Sequence, residues 1–316
     1  MGTAWGRMHV GAFRGAGAEV VAICGRDPAR TLRVAAEEDI ALGTTDPDEL
    51  VRASELVVVA SPATFHAAHA RAAIAGGRHV LIEKPLAGSL ADAEAIAPAA
   101  RTTPNVVAMS FAMRFLPPIA ALRRWLHDRG PVRQLVATVR SEFAGSDASG
   151  DFGGASHALD LAAWLVGARP EWVNATLAGR PVNTAAVHVG FVGGSIAFVT
   201  HRASIEPGTD GVWELVGDAW EARFTAGFDP ARGGWVVSGV RLLDGGVAQE
   251  LAAGVAPTDG AREPWAEAHV AQAQAVLTTA SGIKAPGLAT FEDGLTVVRL
   301  VTAALEAHGK GARVSL

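Results

Sequence analysis

The chain is predicted to be a two-domain α/β protein, with a doubly wound parallel sheet followed by an α+β domain built on a large, mostly antiparallel open sheet. Three observations predict it. Its 316 residues, 49% of them hydrophobic, are enough for two cores at roughly 150 residues per domain. Between residues 19 and 109 short β-branched runs alternate with amphipathic stretches, the pattern of a parallel sheet covered by helices on both faces. After Arg114 closely spaced strand-like runs are joined by Gly-Gly, Gly-Asp and Asp-Gly turns, which suit antiparallel meanders. The domains are therefore placed at 1–114 and 115–316.

In the first domain the expected strands are residues 19–24, 56–60, 79–83 and 106–109, and the expected helices 28–38, 65–75 and 89–100. Ser89 is an N-cap with acids in the turns that follow, and Asp46-Pro47-Asp48 marks a further helix start. In the second domain a Leu- and Arg-rich helix at 119–127 and a strand at 132–142 lead through a Gly-rich loop to a helix at 156–166. Strands follow at 172–177, 185–192, 195–202, 212–216, 222–226 and 235–243, and helices at 265–279 and 291–307 close the chain.

No apolar run approaches the ~18 residues of a membrane helix and no charged-then-apolar leader opens the chain, so a soluble, cytoplasmic protein is expected. The single cysteine, Cys24, excludes an internal disulfide and a multi-cysteine metal site, and fits a reducing compartment. A net charge of −5 supplies no basic excess for nucleic acid or an anionic membrane. Of the 27 basic residues only Lys84, Lys284 and Lys310 are lysine. Arginine thus carries the ordinary surface charge, and a lysine closing a buried strand stands out, because an ammonium's pKa shifts readily.

Gly2-Thr3-Ala4-Trp5-Gly6 precedes a helix-like stretch, and such a turn lets the backbone and a helix N-terminus approach a pyrophosphate. Ala4 replaces the second glycine, the spacing to the third is short, and only Met1 stands before Gly2. A Rossmann-type sheet needs its first strand at the centre, so about six residues of core are expected to be missing from this chain, whose start is read as displaced or truncated. The flanking strands would then pair across the gap or leave ladder groups unsatisfied. The next strand ends in Ile23-Cys24-Gly25-Arg26-Asp27. An acid near this point binds the ribose diol of NAD, whereas a small residue followed by arginine accommodates the 2′-phosphate of NADP. Gly25-Arg26 leans toward NADP; the alternative has Asp27 capping the next helix with Arg26 solvated.

The order of this turn, Ser61-Pro62 with His66, Glu83-Lys84-Pro85, Met113-Arg114-Phe115 and Ser156-His157-Ala158-Leu159-Asp160 resembles the glucose–fructose oxidoreductase / inositol dehydrogenase (Gfo/Idh/MocA) family. The resemblance spans nearly the whole chain, and a strand followed by Glu-Lys-Pro is its most specific element. It implies hydride transfer between NAD(P) and a hydroxyl-bearing carbon of a sugar, inositol or related polyol, in a homodimer or homotetramer. It implies that Lys84 hydrogen-bonds the reacting oxygen and stabilises a developing alkoxide. A positively charged nicotinamide nearby would lower the lysine's pKa. It also implies a cis bond before Pro85, and Ser61, Pro62 and Thr64 along the nicotinamide ribose, with His66 near the helix start, where the alternative is a packed structural histidine. With Gly2, Thr3, Ala4, Trp5, Gly25, Arg26, Glu83 and Lys84 these complete the cofactor set.

His157 and Asp160 lie three apart at the start of a helix whose apolar stripe is Leu159, Ala162, Ala163 and Val166, so they share a face away from it. A pKa near neutrality suits His157 to acid–base work, the alternative being a structural histidine paired with Asp160. The family commonly has an acid four residues before this histidine and a glycine two before, where this chain has Gly153 and Ala155. Asp151 is the candidate replacement; otherwise His157 and Lys84 manage the proton alone. Arg114 begins the crossing to the second domain, either to bind substrate with Asp151 and Asp160 or to form an interdomain salt bridge. Two other functions compete: a nicotinamide-binding sensor or regulatory protein without turnover, and a lyase with internal redox. Retention of both Lys84 and His157 favours the dehydrogenase.

Overall fold

Three side chains decide where helices of the N-terminal half begin. Asp27 accepts from the Arg30 N–H at 2.8 Å, Asp46 from that of Asp48 at 2.9 Å and Ser89 from that of Asp92 at 3.1 Å. Each satisfies a donor for which the first helical turn has no partner. The computed structural model describes residues 2, 5–142, 155–179, 183–204, 208–231, 234–256 and 263–316.

The first half runs α1 (Trp5–Gly15), β1 (Ala22–Cys24), α2 (Pro28–Glu37), β2 (Leu42–Thr44), α3 (Pro47–Ala53), β3 (Leu56–Val59), α4 (His66–Ala75), β4 (His79–Glu83), α5 (Leu90–Thr102) and β5 (Val107–Ser110). There follow α6 (Pro117–Leu126), β6 (Gln134–Glu142), α7 (Ser156–Val166), β7 (Pro170–Ala178), β8 (Thr184–Phe191), β9 (Ile196–Ser204) and β10 (Thr209–Val216). The last part holds β11 (Trp220–Asp229), β12 (Gly234–Val237), β13 (Val240–Asp244), β14 (Val247–Ala252), α8 (Pro264–Ala280), β15 (Ala289–Thr290), α9 (Phe291–Lys310) and β16 (Val314–Ser315). Contacts group the chain into two units, Met1–Ala112 with Ala266–Val298, and Met113–Trp265 with Arg299–Leu316.

In the first unit β3, β4 and β5 pair in parallel, and β15 adds to β5 antiparallel. Val80, Leu81 and Ile82 are all fully buried, as expected of a parallel strand covered on both faces. Phe13 of α1, Leu81, Ala108 and Val276 of α8 share one core cluster, in which each large side chain contributes about 2 kcal/mol by leaving water. The parallel pair β1–β2 forms a separate sheet, and among the described residues no ladder joins β1 to β3. A cavity of about 580 Å³ lies there, lined by Val21 and Ile23, by Leu56 and Val58, and by Phe13. Of the two outcomes expected for the strands flanking this place, pairing across the gap is not seen among the described residues.

The second unit carries one large sheet in the order β14-β13-β11-β10-β6-β9-β8-β7-β16, with β12 also on β11. β7 and β11 alternate buried and exposed residues, for example Val173, Ala175 and Leu177 inward, so one face is core and the other is not. The sheet is mixed, because β6 and β9 pair in parallel after the chain's excursion through α7, β7 and β8. The single strand expected at 235–243 is two: β12 pairs with Ala226–Asp229 and β13 with Trp220–Arg223. The break falls at Gly239, where a Cβ would lie 1.9 Å from a Glu250 carboxylate oxygen and 2.7 Å from the Ala252 carbonyl oxygen. α7 packs against β6 and β9. Among the described residues no helix is long and apolar enough to cross a membrane.

Candidate active site

An open parallel sheet binds ligands beyond the carboxyl ends of its strands. At those ends of the first unit lie Gly25-Arg26 after β1, Ser61-Pro62 after β3 and Lys84-Pro85 after β4. Gly2 is wedged among them: its N–H donates to the Cys24 carbonyl at 2.8 Å. Its φ is +104° and an added Cβ would stand 2.1 Å from the Ala60 carbonyl oxygen, so only glycine fits. Just beyond it α1 begins at Trp5, which is 58% exposed. Bare backbone closing two strand ends beside a helix N-terminus is a fit cradle for a pyrophosphate. Thr3 and Ala4 lie outside the described residues. Asp27 is the α2 cap, and the exposed Arg26 places its guanidinium 6.0 Å from the centre of the exposed Phe65 ring.

His66, expected at the cofactor, is only 1% exposed. Its Nδ1 lies 2.7 Å from the Pro85 carbonyl oxygen and its Nε2 2.6 Å from that of Ser61. Burial lowers its pKa, against the pull of the two carbonyls. His66 is thus a brace between the turns after β3 and β4, acting on any ligand through them. The Ser61 hydroxyl is engaged by His69 Nδ1 at 3.0 Å, while Pro62 and Thr64 are exposed. The Lys84–Pro85 bond is cis. Lys84 is half-buried and has no salt bridge among the described residues.

Beneath Lys84 sits a network that sequence spacing did not reveal. Glu83 is paired with the buried His9 of α1, Nε2 to Oε1 at 2.7 Å, and its Oε2 accepts the Lys84 N–H at 3.1 Å. Burial raises the Glu83 pKa, but the bond and charge of His9, with help from Ser110 and His269, bring it to about 2. The His269 ring meets that of His9 edge-on at 5.7 Å, and Gln272 donates to the Ser110 hydroxyl at 3.1 Å. Glu83, expected to touch the cofactor, is therefore a buried anion, its side chain 12% exposed, that holds the backbone of the lysine.

In the second unit His157 is half-buried on the first turn of α7. Its expected neighbour Asp160 is turned elsewhere: Arg114 grips it with Nε to Oδ2 at 3.0 Å and Nη2 to Oδ1 at 2.5 Å. Both are buried, at 3% and 2% exposure, and Arg114 lies over the Trp164 ring at 5.2 Å. Asp160 does not share a solvent face with His157, because α7 is buried around most of its circumference rather than along one stripe. The interdomain salt bridge expected of Arg114 is a pair inside this unit. His157 meets Trp265 edge-on at 6.0 Å, and Trp265 stacks on Trp235 at 4.8 Å. Asp151 and Gly153 lie outside the described residues.

Residues 1–111 match the model of the Gfo/Idh/MocA oxidoreductase family with an NAD-binding Rossmann fold. Inositol 2-dehydrogenase 2 of Paenarthrobacter aurescens is 30% identical over 317 residues, covering 95% of this chain and 92% of that protein. The chain belongs to the Gfo/Idh/MocA oxidoreductase family. It is thus an oxidoreductase with an NAD-binding Rossmann domain. The scyllo-inositol 2-dehydrogenase (NADP(+)) IolU of Bacillus subtilis is 30% identical over a shorter stretch, 38% of this chain and 37% of that one. Levoglucosan dehydrogenase in complex with NADH and levoglucosan has the same fold, with a TM-score of 0.84 over 99% of this chain and 97% of that one at 18% identity. An oxidoreductase domain protein from Kribbella flavida superposes equally well, TM-score 0.84 over 98% and 96% of the two chains at 22% identity.

Proposed function

We propose that this member of the family is an NAD(P)-dependent dehydrogenase or reductase of a cyclic polyol or sugar, with Lys84 bound to the reacting oxygen. The observation that carries the reading is the Lys84 turn, a half-buried lysine at the carboxyl end of β4 whose backbone is fixed by buried Glu83. The names of the relatives, inositol dehydrogenases and levoglucosan dehydrogenase, support a cyclic polyhydroxylated substrate.

Gly2, Thr3, Ala4, Trp5 and Gly25 would hold the dinucleotide's phosphate and ribose, with Ser61, Pro62 and Thr64 along its other end. When bound, the nicotinamide accepts or donates the hydride. Lys84 donates a hydrogen bond to the substrate oxygen and stabilises the negative charge that grows there as its proton leaves. His157 takes or returns a proton on a substrate hydroxyl, as an imidazole can. Asp151 stands in for the acid absent at Gly153. Arg114 and Asp160 serve by fixing the helix that carries His157, a role their mutual burial supports. Arg26, free of the capping duty that Asp27 performs, favours NADP. Residues 1–114 would carry the dinucleotide and 115–316 the substrate and the contacts of a cytoplasmic homodimer or homotetramer.

Absorbance at 340 nm with NAD or NADP against a panel of inositols and pyranoses tests the reading. Lys84→Ala is expected to lower turnover by at least ~100-fold with the fold retained. Full turnover by that variant would sink the assignment, and tight dinucleotide binding without turnover on any substrate would favour the sensor.

A further inference from the structure

The second unit holds several tryptophans, and most of them are covered in recognisable ways. Trp213 is buried face to face with Phe224 at 5.8 Å, and Trp220 packs edge-on with Trp125 at 5.2 Å. Trp164 lies under Arg114 and Arg123, and Trp172 under Arg313. These are core and surface packing. Trp235 on β12 and Trp265 at the start of α8 differ. They stack on each other at 4.8 Å with 28° between planes, both are half-buried, and Trp265 stands nearly perpendicular to the half-buried imidazole of His157 at 6.0 Å. A carboxylate is fixed beside the same strand, because Glu263 Oε1 accepts the backbone N–H of Trp235 at 2.7 Å.

The geometry points to a substrate shelf: Trp265, backed by Trp235, receives the C–H face of a saturated six-membered polyol or pyranose, while His157 and Glu263 take hydroxyls at its rim. The inference rests on the polyol dehydrogenase reading and narrows it to cyclic substrates. A pyranose or cyclitol is apolar on its faces, where axial C–H groups point, and polar around its rim. The negative face of an indole attracts the weakly positive C–H groups. Carboxylate and imidazole offer the acceptors and donors that rim hydroxyls need. An open-chain polyol has no such flat C–H face, so the shelf discriminates by shape. Stacking against Trp235 keeps the Trp265 ring from turning, so little rotamer freedom is lost when substrate arrives.

The test compares the enzyme with Trp265→Leu and Trp265→Phe, using myo-inositol and glucose as cyclic probes and sorbitol as the open-chain probe. Trp265→Leu is expected to raise KM for the cyclic substrate about tenfold relative to the open-chain one, roughly one aromatic contact at ~1.4 kcal/mol per decade, and Trp265→Phe to recover most of it. An unaltered ratio of cyclic to open-chain KM in Trp265→Leu overturns the shelf. Saturation-transfer NMR, irradiating aromatic protons, reads the contact without turnover. Should the protein oxidise no polyol, the dehydrogenase reading fails, and this measurement alone decides the shelf. Saturation reaching the ring C–H protons of a cyclic probe and vanishing in Trp265→Leu upholds it; no transfer in the unaltered protein overturns it.

Discussion

Glu83→Gln is the most informative single change, because it keeps the shape of the side chain and removes only its charge. In the folded protein the carboxyl ionises near 2 instead of near 4.5, held by His9 at 2.7 Å in a site where its side chain is 12% exposed. A depressed carboxyl pKa stabilises the fold above the unfolded value and loses that contribution as pH falls toward the folded one. At ~1.4 kcal/mol per pH unit the charged state favours folding by about 3 kcal/mol at pH 7. Glutamine mimics the protonated acid, so the variant is expected to be about 3 kcal/mol less stable at pH 7. The deficit should shrink once pH drops below about 4.5 and tend to nothing near 2. Urea unfolding followed by circular dichroism over a pH series measures it. A deficit under ~1 kcal/mol at pH 7, or one that persists undiminished down to pH 3, would refute the idea that His9 and Glu83 form a charge-dependent anchor for the Lys84 turn.

Two further changes probe other parts of the molecule. Arg26→Ala is expected to raise KM for NADP about tenfold or more while KM for NAD stays within about twofold, as a lost charge-assisted phosphate contact predicts; equal effects on both would refute a phosphate clamp. Asp160→Ala leaves the Arg114 guanidinium buried without its bidentate partner, and is expected to cost ~3–5 kcal/mol in urea unfolding; a loss under ~1 kcal/mol would show that the pair is dispensable.

Elements whose signals are local were legible in the sequence. β4 runs from His79 to Glu83 and α7 from Ser156 to Val166 as expected, and Asp46 and Ser89 cap the helices they were expected to open. Strands without a buried face were not legible: β14, Val247–Ala252, is exposed along most of its length and shows no alternation. The split at Gly239 depends on the approach of Glu250 and Ala252, which no local pattern records. In the candidate site, Lys84 and its proline stand out in the sequence because they close a buried strand. The anchor beneath them was not. His9 lies 74 residues from Glu83, and Gln272 lies 162 from Ser110, so the contacts exist only once the sheet has formed. For His66 the motif left two readings, a place near the cofactor or a packed histidine at a helix terminus, and its burial between the Pro85 and Ser61 carbonyls is the packed arrangement. Asp160 shows the limit of helical spacing, which places it near His157 along α7 but does not foresee that Arg114 draws it into the core.

The divided sheet bears on how a ligand and the fold depend on each other. β1 and β2 contribute three residues each to a two-stranded ribbon, a size that is marginal alone in water. Gly25 and Arg26 hang from that ribbon, whereas Ser61 and Lys84 hang from the firmer β3–β5 block. A molecule long enough to touch both would act as a clasp, joining across its own length two pieces between which the described residues form no backbone ladder. Mass action then makes the ribbon's resistance to opening a function of ligand concentration, and an empty protein would fray first at the ribbon that carries Gly25 and Arg26.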